Sequence, residues 1–196
     1  MTIAAVVLAA GQSKRMGQPK MLLPWGDSTV IEQVVYVLSQ AALEPILVVT
    51  GGASQALKAL LENSPARPIF NPRFMNDEMI YSLQAGLEIL DESVEAAMVA
   101  LGDQPQIEIG VVRQVVQVYQ DTQAALVVPS YQMRRGHPWL LNRSLWGELM
   151  RLSPPATIRA FLNAHLSLTH FAQVDTPSIF KDIDTPEDYA RERPLS

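Results

Sequence analysis

Residues Ile3–Ala9, with the sequence IAAVVLA, form an unbroken run of small and β-branched apolar side chains, and Gly11 follows two positions later. Such a run is typical of a strand that is buried on both faces of a sheet. Outward from it, short apolar runs alternate with segments of helical periodicity along most of the chain. The alternation predicts α/β layers around a largely parallel sheet with right-handed crossovers.

Spacing and turn residues place the other elements. Further strands are predicted at 46–49, 69–70, 96–101, 126–128, 139–141, 168–171 and 179–183. Helices are predicted from a cap at Asp27 or Ser28 through Leu38, from a cap at Ser54 through Leu61, from about Asp77 to Leu90, around 111–118, over 144–152, over 158–164, and from Thr185-Pro186-Glu187 onward. Residues 12–26 are predicted to form a long loop. Since no repeat or low-complexity linker interrupts the pattern, residues 1–196 are expected to form a single domain.

Composition excludes several classes of protein. The 196 residues include no cysteine, so disulfide scaffolds, cysteine-ligated metals and thiol catalysis are excluded. A net charge of −5 argues against a nucleic-acid partner. The first apolar run is too short to span a membrane and no basic segment precedes it, so neither a membrane span nor a signal peptide is predicted. A disulfide-free chain of this kind suits the cytoplasm.

The basic residues are concentrated in two windows. No acid precedes Asp27, whereas Lys14, Arg15 and Lys20 lie within seven positions of one another. A second acid-free window runs from residue 122 to residue 147. Its cations and histidine are Arg134, Arg135, His137 and Arg143. Local basic patches on an acidic chain favour compact anionic ligands, phosphates above all, although chance clusters on solvated loops would give the same pattern.

The first window follows the first strand and contains Gly11 and Gly17. Their separation fits neither the Walker pattern nor the dinucleotide fingerprint. What remains is a glycine that allows close backbone approach, a hydroxyl at Ser13 and three cations on one loop. These parts suit a triphosphate held by backbone N–H groups and clamped by positive charge.

A lone carboxylate follows the strand predicted at 96–101. Asp103 follows Gly102 and precedes Gln104-Pro105. Because the predicted strand ends at residue 101, the Asp103 carboxylate is expected at the carboxyl-terminal edge of the sheet. Magnesium prefers one or two such carboxylates together with substrate phosphates. From the residues alone, a helix-capping role for Asp103 is an equally good interpretation.

Four segments together make the chain resemble the molybdenum cofactor nucleotidyltransferases, most closely their cytidylyltransferase branch. They are residues 8–23, Gly102-Asp103-Gln104-Pro105, Arg135-Gly136-His137-Pro138 and the closing segment 182–188. The first is shared with many nucleotidyltransferases, and the Arg-Gly-His-Pro element narrows the resemblance. It implies a three-layer Rossmann-like fold of the nucleotide-diphosphosugar transferase type, with a mixed sheet. It also implies a magnesium-dependent enzyme that uses a nucleoside triphosphate.

The resemblance implies roles for individual residues. Arg15, Lys20 and Asp103 are the implied catalytic residues. The implied nucleotide-binding residues are Leu8, Ala9, Ala10, Gly11, Ser13, Lys20, Asn71, Ser82 and Gly102. Asp103 is the implied metal ligand, with Asp184 or Asp182 as the second. Arg134, Arg135 and His137 are expected to bind the acceptor, with exposed loop arginines and a structural histidine as the alternative interpretation.

The reaction implied by the resemblance is transfer of CMP from CTP to the terminal phosphate of molybdopterin, with release of pyrophosphate. Guanylyltransferase relatives have a second glycine where this chain has Ala10, which favours CTP over GTP. A molybdoenzyme that receives the product is the implied client. A sugar phosphate as acceptor, or a binding or chaperone module without turnover, remain open alternatives.

Two segments depart from the family pattern. Relatives often have Gly-Met-Ser-Ser-Ser where this chain has Glu78-Met79-Ile80-Tyr81-Ser82, and a Gly-Ala-Arg segment where it has residues 155–159, Pro-Ala-Thr-Ile-Arg. Both departures are expected where a second substrate docks, so they bear on the acceptor more than on the chemistry.

Overall fold

The computed structural model describes residues 1–76 and 78–194 and contains the expected alternation of strands and helices. The strands of the described residues are β1 (Ile3–Ala9), β2 (Pro24–Trp25), β3 (Ser28–Thr29), β4 (Ile46–Thr50), β5 (Ala66–Phe70), β6 (Ala96–Leu101), β7 (Leu126–Tyr131), β8 (Arg134–Arg135), β9 (Trp139–Asn142) and β10 (Thr169–Gln173). The α-helices are α1 (Val30–Gln40), α2 (Ser54–Leu60), α3 (Met79–Glu88), α4 (Ile109–Thr122), α5 (Trp146–Leu149), α6 (Ile158–Ala164) and α7 (Pro186–Glu192).

Eight strands form one mixed sheet, as the family resemblance implies. The order is β10-β7-β9-β6-β1-β4-β5, and β8 pairs with β7 beside this path. The pairings of β9 with β6 and β7, and of β8 with β7, are antiparallel, whereas the other pairings of this sheet are parallel. β2 and β3 form a separate two-stranded hairpin. The expected fold class is therefore confirmed.

The central strand β1 is buried on both faces, as its composition predicts. Ala5 and Val7 pack toward the layer of α1, α2 and α4, whereas Ala4 and Val6 pack toward the layer of α3, α5 and α6. Gly86 lets α3 approach the sheet closely, because a Cβ at this position would collide with the Val6 side chain. Because successive side chains of a strand point to opposite faces, this one apolar run contributes to the core on both sides of the sheet.

The start of α1 differs from the prediction. The predicted cap at Asp27 or Ser28 is wrong, because both residues belong to the β2–β3 hairpin region, where Gly26 has a φ of +59°. Thr29 is the cap: its hydroxyl accepts from the Glu32 amide at 3.4 Å, and the Glu32 carboxylate accepts from the Thr29 amide at 2.9 Å. This reciprocal capping box satisfies two backbone donors.

Three further predictions near helices need correction. Ser54 is the first residue of α2, and the position before it, Ala53, provides no side-chain cap. The helix predicted over 144–152 is a 3₁₀ turn followed by the short α5, which ends before Pro154 and Pro155. Residues 12–26 are not wholly loop, since a 3₁₀ turn covers Lys20–Leu22 and β2 follows. The predicted start of α3 at Asp77 lies outside the described residues.

The strand predicted at 179–183 is also wrong. Residues Pro177–Phe180 form a 3₁₀ turn, and the hydroxyl of Thr176 accepts from the Ser178 amide at 3.2 Å. Proline at the first position presets the turn and cannot donate to a ladder. The last helix is correctly predicted, with Thr185 and Asp188 forming its capping box. Within the described residues, no helix has both the length and the apolar character needed to cross a membrane.

Candidate active site

The carboxyl ends of β1 and β6 lie side by side at one edge of the sheet. Leu8 pairs with Leu101 at the end of their parallel ladder, and the Gly102 amide donates to the Leu8 carbonyl at 3.0 Å. The loop after β1 and the Asp103 carboxylate therefore emerge together. In the sheet, β4 lies on one side of β1 and β6 on the other, so the strand order reverses direction at β1. Ligands of open α/β sheets bind at the carboxyl ends of the strands where the order reverses.

Lys20 is the centre of a charge cluster at this edge. Its side chain is 10% exposed, and Nζ donates to Asp103 Oδ2 and, at 3.1 Å, to Asp184 Oδ1. Arg15 Nη2 contacts the second oxygen of Asp184 at 2.8 Å. Burial alone would lower the pKa of Lys20, but Asp103 and Asp184 outweigh burial and raise this pKa above its ordinary value. Lys20 is therefore a fixed positive charge at neutral pH.

Asp182 lies beside the cluster but has a different partner. Its Oδ1 accepts from Gln104 Nε2 at 2.6 Å. Burial, together with the nearby charges of Asp103 and Asp184, raises the pKa of Asp182 despite that hydrogen bond. Asp182 and Asp184 thus differ in their partners, since Asp182 accepts from Gln104 whereas Asp184 contacts Lys20 and Arg15.

The donor set at the cluster fits a magnesium ion that shares its coordination with phosphates. Asp103 and Asp184 supply hard carboxylate oxygens that contact the same ammonium group. Among residues 1–76 and 78–194, no three acidic or histidine side chains converge on a common point that would cage a metal. Magnesium is commonly held by one or two carboxylates plus substrate phosphates, and this is the arrangement that the residues present would support.

The loop after β1 is shaped by two left-handed residues. Ser13 has a φ of +50° and Gly17 a φ of +69°. The Ser13 carbonyl accepts from the amides of Met16 and Gly17, and its hydroxyl accepts from the Lys20 amide at 3.2 Å. Ser13 thus holds the loop closed and places Lys20 at its base. Nothing lies within 4 Å of the position that a Gly11 Cβ would occupy, so the backbone there is open to a ligand.

Two cavities flank Gly11. The first, of about 280 Å³, contains the charge cluster, and its lining residues include Leu8, Ala10, Gly11, Lys20, Ser82, Asp103 and Asp184. The second, of about 450 Å³, is lined by loop residues including Ala9, Gly11, Ser13, Lys14 and Gly17. Most residues expected to bind nucleotide are therefore brought to these two cavities. Gly102 instead faces inward, where a Cβ would lie 3.1 Å from Met21 Sδ.

Asn71 and Ser82 are placed together, as the resemblance implies. Asn71 is fully buried, and its Nδ2 donates to Ser82 Oγ at 3.1 Å. Asn71 Oδ1 accepts from the Arg73 amide at 2.9 Å, which fixes the orientation of its amide group. Only Ser82 of this pair lines the cavity with the charge cluster, so Asn71 acts on that cavity through Ser82.

A larger cavity of about 590 Å³ opens on the α3 and α6 side of the sheet. Glu78 and Met79 line both this cavity and the one containing Lys20, so the two are neighbours. The cavity also brings together the two segments that depart from the family pattern, because Ile80, Thr157, Ile158 and Arg159 line it. Both departures therefore line one cavity, and the docking of a second substrate there stays a prediction.

Arg134, Arg135 and His137 line this larger cavity. Arg135 Nη2 donates to Asn163 Oδ1 at 2.7 Å, and the Arg134 guanidinium lies 4.5 Å from the Phe180 ring centroid. Both residues are exposed, and each guanidinium has one contact within the protein. The amide of His137 donates to the Ile179 carbonyl at 3.1 Å, which fixes the start of β9.

His137 is neutral at physiological pH, because burial lowers the pKa of its imidazole to about 4 from an ordinary 6.5. The unfolded chain therefore takes up a proton at a higher pH than the folded one. The stability contributed by the neutral imidazole is present above pH 6.5 and is lost as the pH falls toward 4. His137 can offer a neutral hydrogen bond to a ligand, but not a positive charge.

His137→Gln should remove this part of the pH dependence. Between pH 6.5 and 4 the wild-type protein should lose about 3 kcal/mol of unfolding free energy that the variant does not lose. Urea denaturation across this range measures the difference, with exposed His170→Gln as the matched control. An unchanged pH slope in the His137 variant would contradict the burial of a neutral imidazole.

Residues 5–169 match the sequence profile of the MobA-like NTP transferase domain. The chain belongs to this family. The molybdenum cofactor cytidylyltransferase of Escherichia coli is 27% identical over 97% of this chain and 96% of its own length. A nicotine blue oxidoreductase of Paenarthrobacter nicotinovorans is also 27% identical, over 96% of this chain and 95% of its own. Relatives with differently named activities are thus equally similar to this NTP transferase.

Solved structures agree with the family assignment. The crystal structure of Rv0371c from Mycobacterium tuberculosis has a TM-score of 0.86, with 29% identity, and the match covers 97% of both chains. A complex of the same mycobacterial protein with manganese has a TM-score of 0.79, with 28% identity and 97% coverage of both chains.

Several residues of this NTP transferase site have no local sequence signal. Asn163 lies on a helix whose pattern is otherwise ordinary, yet it holds Arg135. Gln104 belongs to the Gly102-Asp103-Gln104-Pro105 motif, but the sequence gives no role to its side chain, which donates to Asp182. Trp139 lies on a buried strand and lines the 590 Å³ cavity. The departures from the family pattern at residues 78–82 and 155–159 are the sequence signal that points to the 590 Å³ cavity, because both segments line it.

Proposed function

We propose that this NTP transferase moves CMP from CTP to the terminal phosphate of molybdopterin. An oxygen of the acceptor phosphate forms a bond to the α-phosphorus of CTP, the bond from that phosphorus to the bridging oxygen breaks, and pyrophosphate leaves with the electron pair. Phosphoryl chemistry of this kind needs positioning and charge stabilisation more than a protein nucleophile.

The observation that supports this proposal best is the pair of adjoining cavities. One contains the cluster of Lys20, Asp103 and Asp184, and the other is bordered by Arg134 and Arg135. Because Glu78 and Met79 line both, a triphosphate in the first and a phosphorylated acceptor in the second would meet at this shared wall. Two anionic reactants need such separate cationic sites before they can approach each other.

Within the proposed reaction, Lys20 and Arg15 stabilise negative charge on the triphosphate. The raised pKa of Lys20 keeps its ammonium protonated throughout the neutral range. Asp184 holds both cations, Lys20 Nζ at 3.1 Å and Arg15 Nη2 at 2.8 Å, and so sets their spacing. Magnesium, bound by Asp103 with Asp184, would neutralise phosphate charge, in line with the divalent-metal requirement common in this family. His137, neutral, would orient the acceptor.

The preference for CTP rests on Ala10. Ala10 lines the cavity containing Lys20 and is only 7% exposed. A purine needs more room at this wall than a pyrimidine does, and one methyl-sized change is worth about 1–3 kcal/mol. We therefore propose that CTP is preferred over GTP without being used exclusively.

Pyrophosphate release with each of the four nucleoside triphosphates tests the proposal. Each is assayed alone, with purified molybdopterin and with a sugar phosphate. The proposal expects release that requires molybdopterin and is fastest with CTP. Faster release with GTP would contradict the base preference, and release with the sugar phosphate in place of molybdopterin would favour the other acceptor class. Tight binding of CTP and molybdopterin without release would favour a delivery module.

Replacing Arg135 should weaken acceptor binding. We expect Arg135→Ala to raise the KM for the acceptor about 10- to 100-fold, because a guanidinium held by Asn163 can bind a phosphate with two parallel hydrogen bonds. Arg135→Lys should restore only part of the loss, since an ammonium lacks the planar fork.

The control for Arg135 is Arg67→Ala, which removes the same charge from an exposed position on β5 at the far edge of the sheet. The affinity for CTP, measured by calorimetry, should be unchanged in both variants. An acceptor KM that is unaffected by Arg135→Ala, or a parallel fall in CTP affinity, would count against the acceptor role.

A further inference from the structure

Arg159 lines the 590 Å³ cavity and has no partner for its guanidinium within the protein. The residue is exposed, and among the residues that the structure describes this guanidinium makes no hydrogen bond, ion pair or ring contact. The two other arginines on this cavity each have one contact, since Arg135 donates to Asn163 and Arg134 lies against the Phe180 ring. All of the N–H donors on the Arg159 guanidinium are therefore available to a ligand.

Helix α6 brings Arg159 close to Arg135. Asn163, whose Oδ1 accepts from Arg135 Nη2 at 2.7 Å, comes four residues after Arg159 on this helix. Residues four apart are neighbours on one helix face, with about 5–6 Å between their Cβ atoms. The Arg135 guanidinium thus lies beside the face of α6 that carries Arg159, and both arginines line the same cavity. Two planar cations are within reach of one bound anion.

The charged residues of the cavity lining favour a doubly charged ligand. Arg134, Arg135 and Arg159 are opposed by the carboxylate of Glu78, while His137 is neutral, so the described lining residues have a net charge of +2. Glu78 lies at the wall shared with the cavity that contains Lys20, whereas Arg159 lies on α6. A phosphate monoester carries a charge of about −2 above its second pKa, near 6.

Much of the remaining lining is apolar. Met79, Ile80, Val128, Ile158 and Leu162 are among these residues. Apolar walls with a few charged groups at one side are typical of a site that binds an apolar body through its surface and orients it through its polar end. A ligand that matches this cavity combines a ring of low polarity with a phosphate monoester.

We propose that Arg159 and Arg135 together bind the phosphate of the acceptor substrate, and that Arg159 makes the site select a doubly charged phosphate monoester over singly charged groups. Coulomb attraction is proportional to the charge of each partner, so an added cation favours a dianion more than a monoanion. Arg135 already donates to Asn163, whereas Arg159 can offer its whole planar fork to the phosphate. The inference rests on the proposed function and extends it to the charge of the acceptor group.

The test uses two ligands that share one ring and differ in charge. 1-Naphthyl phosphate is a dianion at about pH 8, whereas 1-naphthyl sulfate carries a single negative charge. Binding of each ligand is measured by calorimetry without CTP for the wild-type protein, Arg159→Ala and Arg159→Lys. Arg67→Ala is the matched control, since it removes the same charge from an exposed position on β5 at the far edge of the sheet.

The wild-type protein should bind the naphthyl phosphate more tightly than the naphthyl sulfate. Arg159→Ala should weaken binding of the phosphate about tenfold and binding of the sulfate only about threefold, because the lost attraction scales with the charge of the ligand. Equal weakening of both ligands, or affinities unchanged from wild type, would overturn the proposal. Failure of the wild-type protein to bind the phosphate would overturn it as well.

Arg159→Lys separates the charge of the side chain from its shape. Since the charge is kept, the preference for phosphate over sulfate should stay as in the wild-type protein, while the affinity for both is lower because an ammonium lacks the planar fork. A preference lost in Arg159→Lys as well would refute selection by charge. Arg67→Ala should leave both affinities unchanged, and a loss equal to that of Arg159→Ala would indicate a general effect of net charge and refute the site.

The binding assays contain neither CTP nor molybdopterin, so they separate the inference from the proposed function. A phosphate preference that depends on Arg159, without pyrophosphate release, would leave the charge selection intact and overturn the transfer reaction. Release with the same acceptor KM in the wild-type protein and Arg159→Ala would support the transfer reaction and overturn the role of Arg159. With the wild-type protein, naphthyl phosphate should compete with molybdopterin during release. Competition with CTP instead would overturn the placement of the phosphate in the 590 Å³ cavity.

Discussion

Asp103→Asn should lower the rate of nucleotidyl transfer about 10³-fold while the protein stays folded. The substitution keeps the shape of the side chain but removes the negative charge that contacts Lys20 and that would hold magnesium. The rate is measured at saturating CTP and acceptor over a range of magnesium concentrations, and circular dichroism checks the fold. Asp121→Asn, on the exposed face of α4, is the control and should behave like wild type.

The same assay decides whether Asp184 or Asp182 is the second magnesium ligand beside Asp103. Asp184→Asn should cost much more rate than Asp182→Asn, because Asp184 contacts both Lys20 and Arg15 whereas Asp182 binds Gln104. Turnover by Asp103→Asn within a factor of ten of wild type would refute the metal assignment. A larger loss for Asp182→Asn than for Asp184→Asn would reverse the order of the two ligands.

Lys20→Met should damage both activity and stability. We expect kcat/KM for CTP to fall about 100- to 1,000-fold, since a buried cation aimed at developing phosphate charge is lost. The unfolding free energy at pH 7 should fall by about 3 kcal/mol, because Asp103 and Asp184 lose the ammonium that lies between them.

Exposed Lys58→Met on α2 is the control for Lys20. It removes the same charge and should leave both the activity and the urea midpoint near wild type. A Lys20→Met protein as stable as this control would mean that the charge cluster contributes nothing to the fold. A kcat/KM unchanged from wild type would remove Lys20 from the triphosphate site.

The fold was largely predictable because its strands and helices follow from short, local patterns of apolar residues. The run Ile3–Ala9 is apolar at every position, and a strand of that composition can only lie inside a sheet. The predictions that were wrong depend on one or two hydrogen bonds rather than on periodicity. Thr29 replaces Asp27 or Ser28 as the cap because Glu32 completes a capping box, and the 3₁₀ turn at Pro177–Phe180 replaces a strand because Thr176 and Pro177 close it.

The candidate site was predictable only in part. Lys20, Asp103 and Asp184 belong to three motifs that the sequence indicates separately, yet Lys20 is 83 positions from Asp103 and 164 from Asp184. The contact of Lys20 with Asp103 follows from the adjacency of β1 and β6, and Asp184 is brought to them by the Ile183 amide, which donates to the Asp103 carbonyl at 3.0 Å. The sequence pattern specifies neither of these pairings. Asn163 belongs to no motif, because its importance comes from its hydrogen bond to Arg135, which is 28 positions away in the chain.

Overall similarity does not determine the acceptor, because two relatives at 27% identity have names that describe different activities. The chemistry of the 590 Å³ cavity is therefore the better guide. If the proposed acceptor site is this cavity, its apolar walls and border arginines favour a phosphorylated ring compound over a sugar phosphate, whose hydroxyl groups would need many polar partners.

Transfer of label from CTP to the acceptor is the most direct test of the proposed reaction. CTP labelled with ³²P at the α-phosphate is incubated with the protein, magnesium and purified molybdopterin, and the products are separated. The proposed reaction predicts that the label moves into a product in which CMP is joined to the acceptor through a pyrophosphate linkage, with one pyrophosphate released for each label transferred. Label that remains in CTP, or that leaves as free CMP, while the protein binds both substrates, would contradict it.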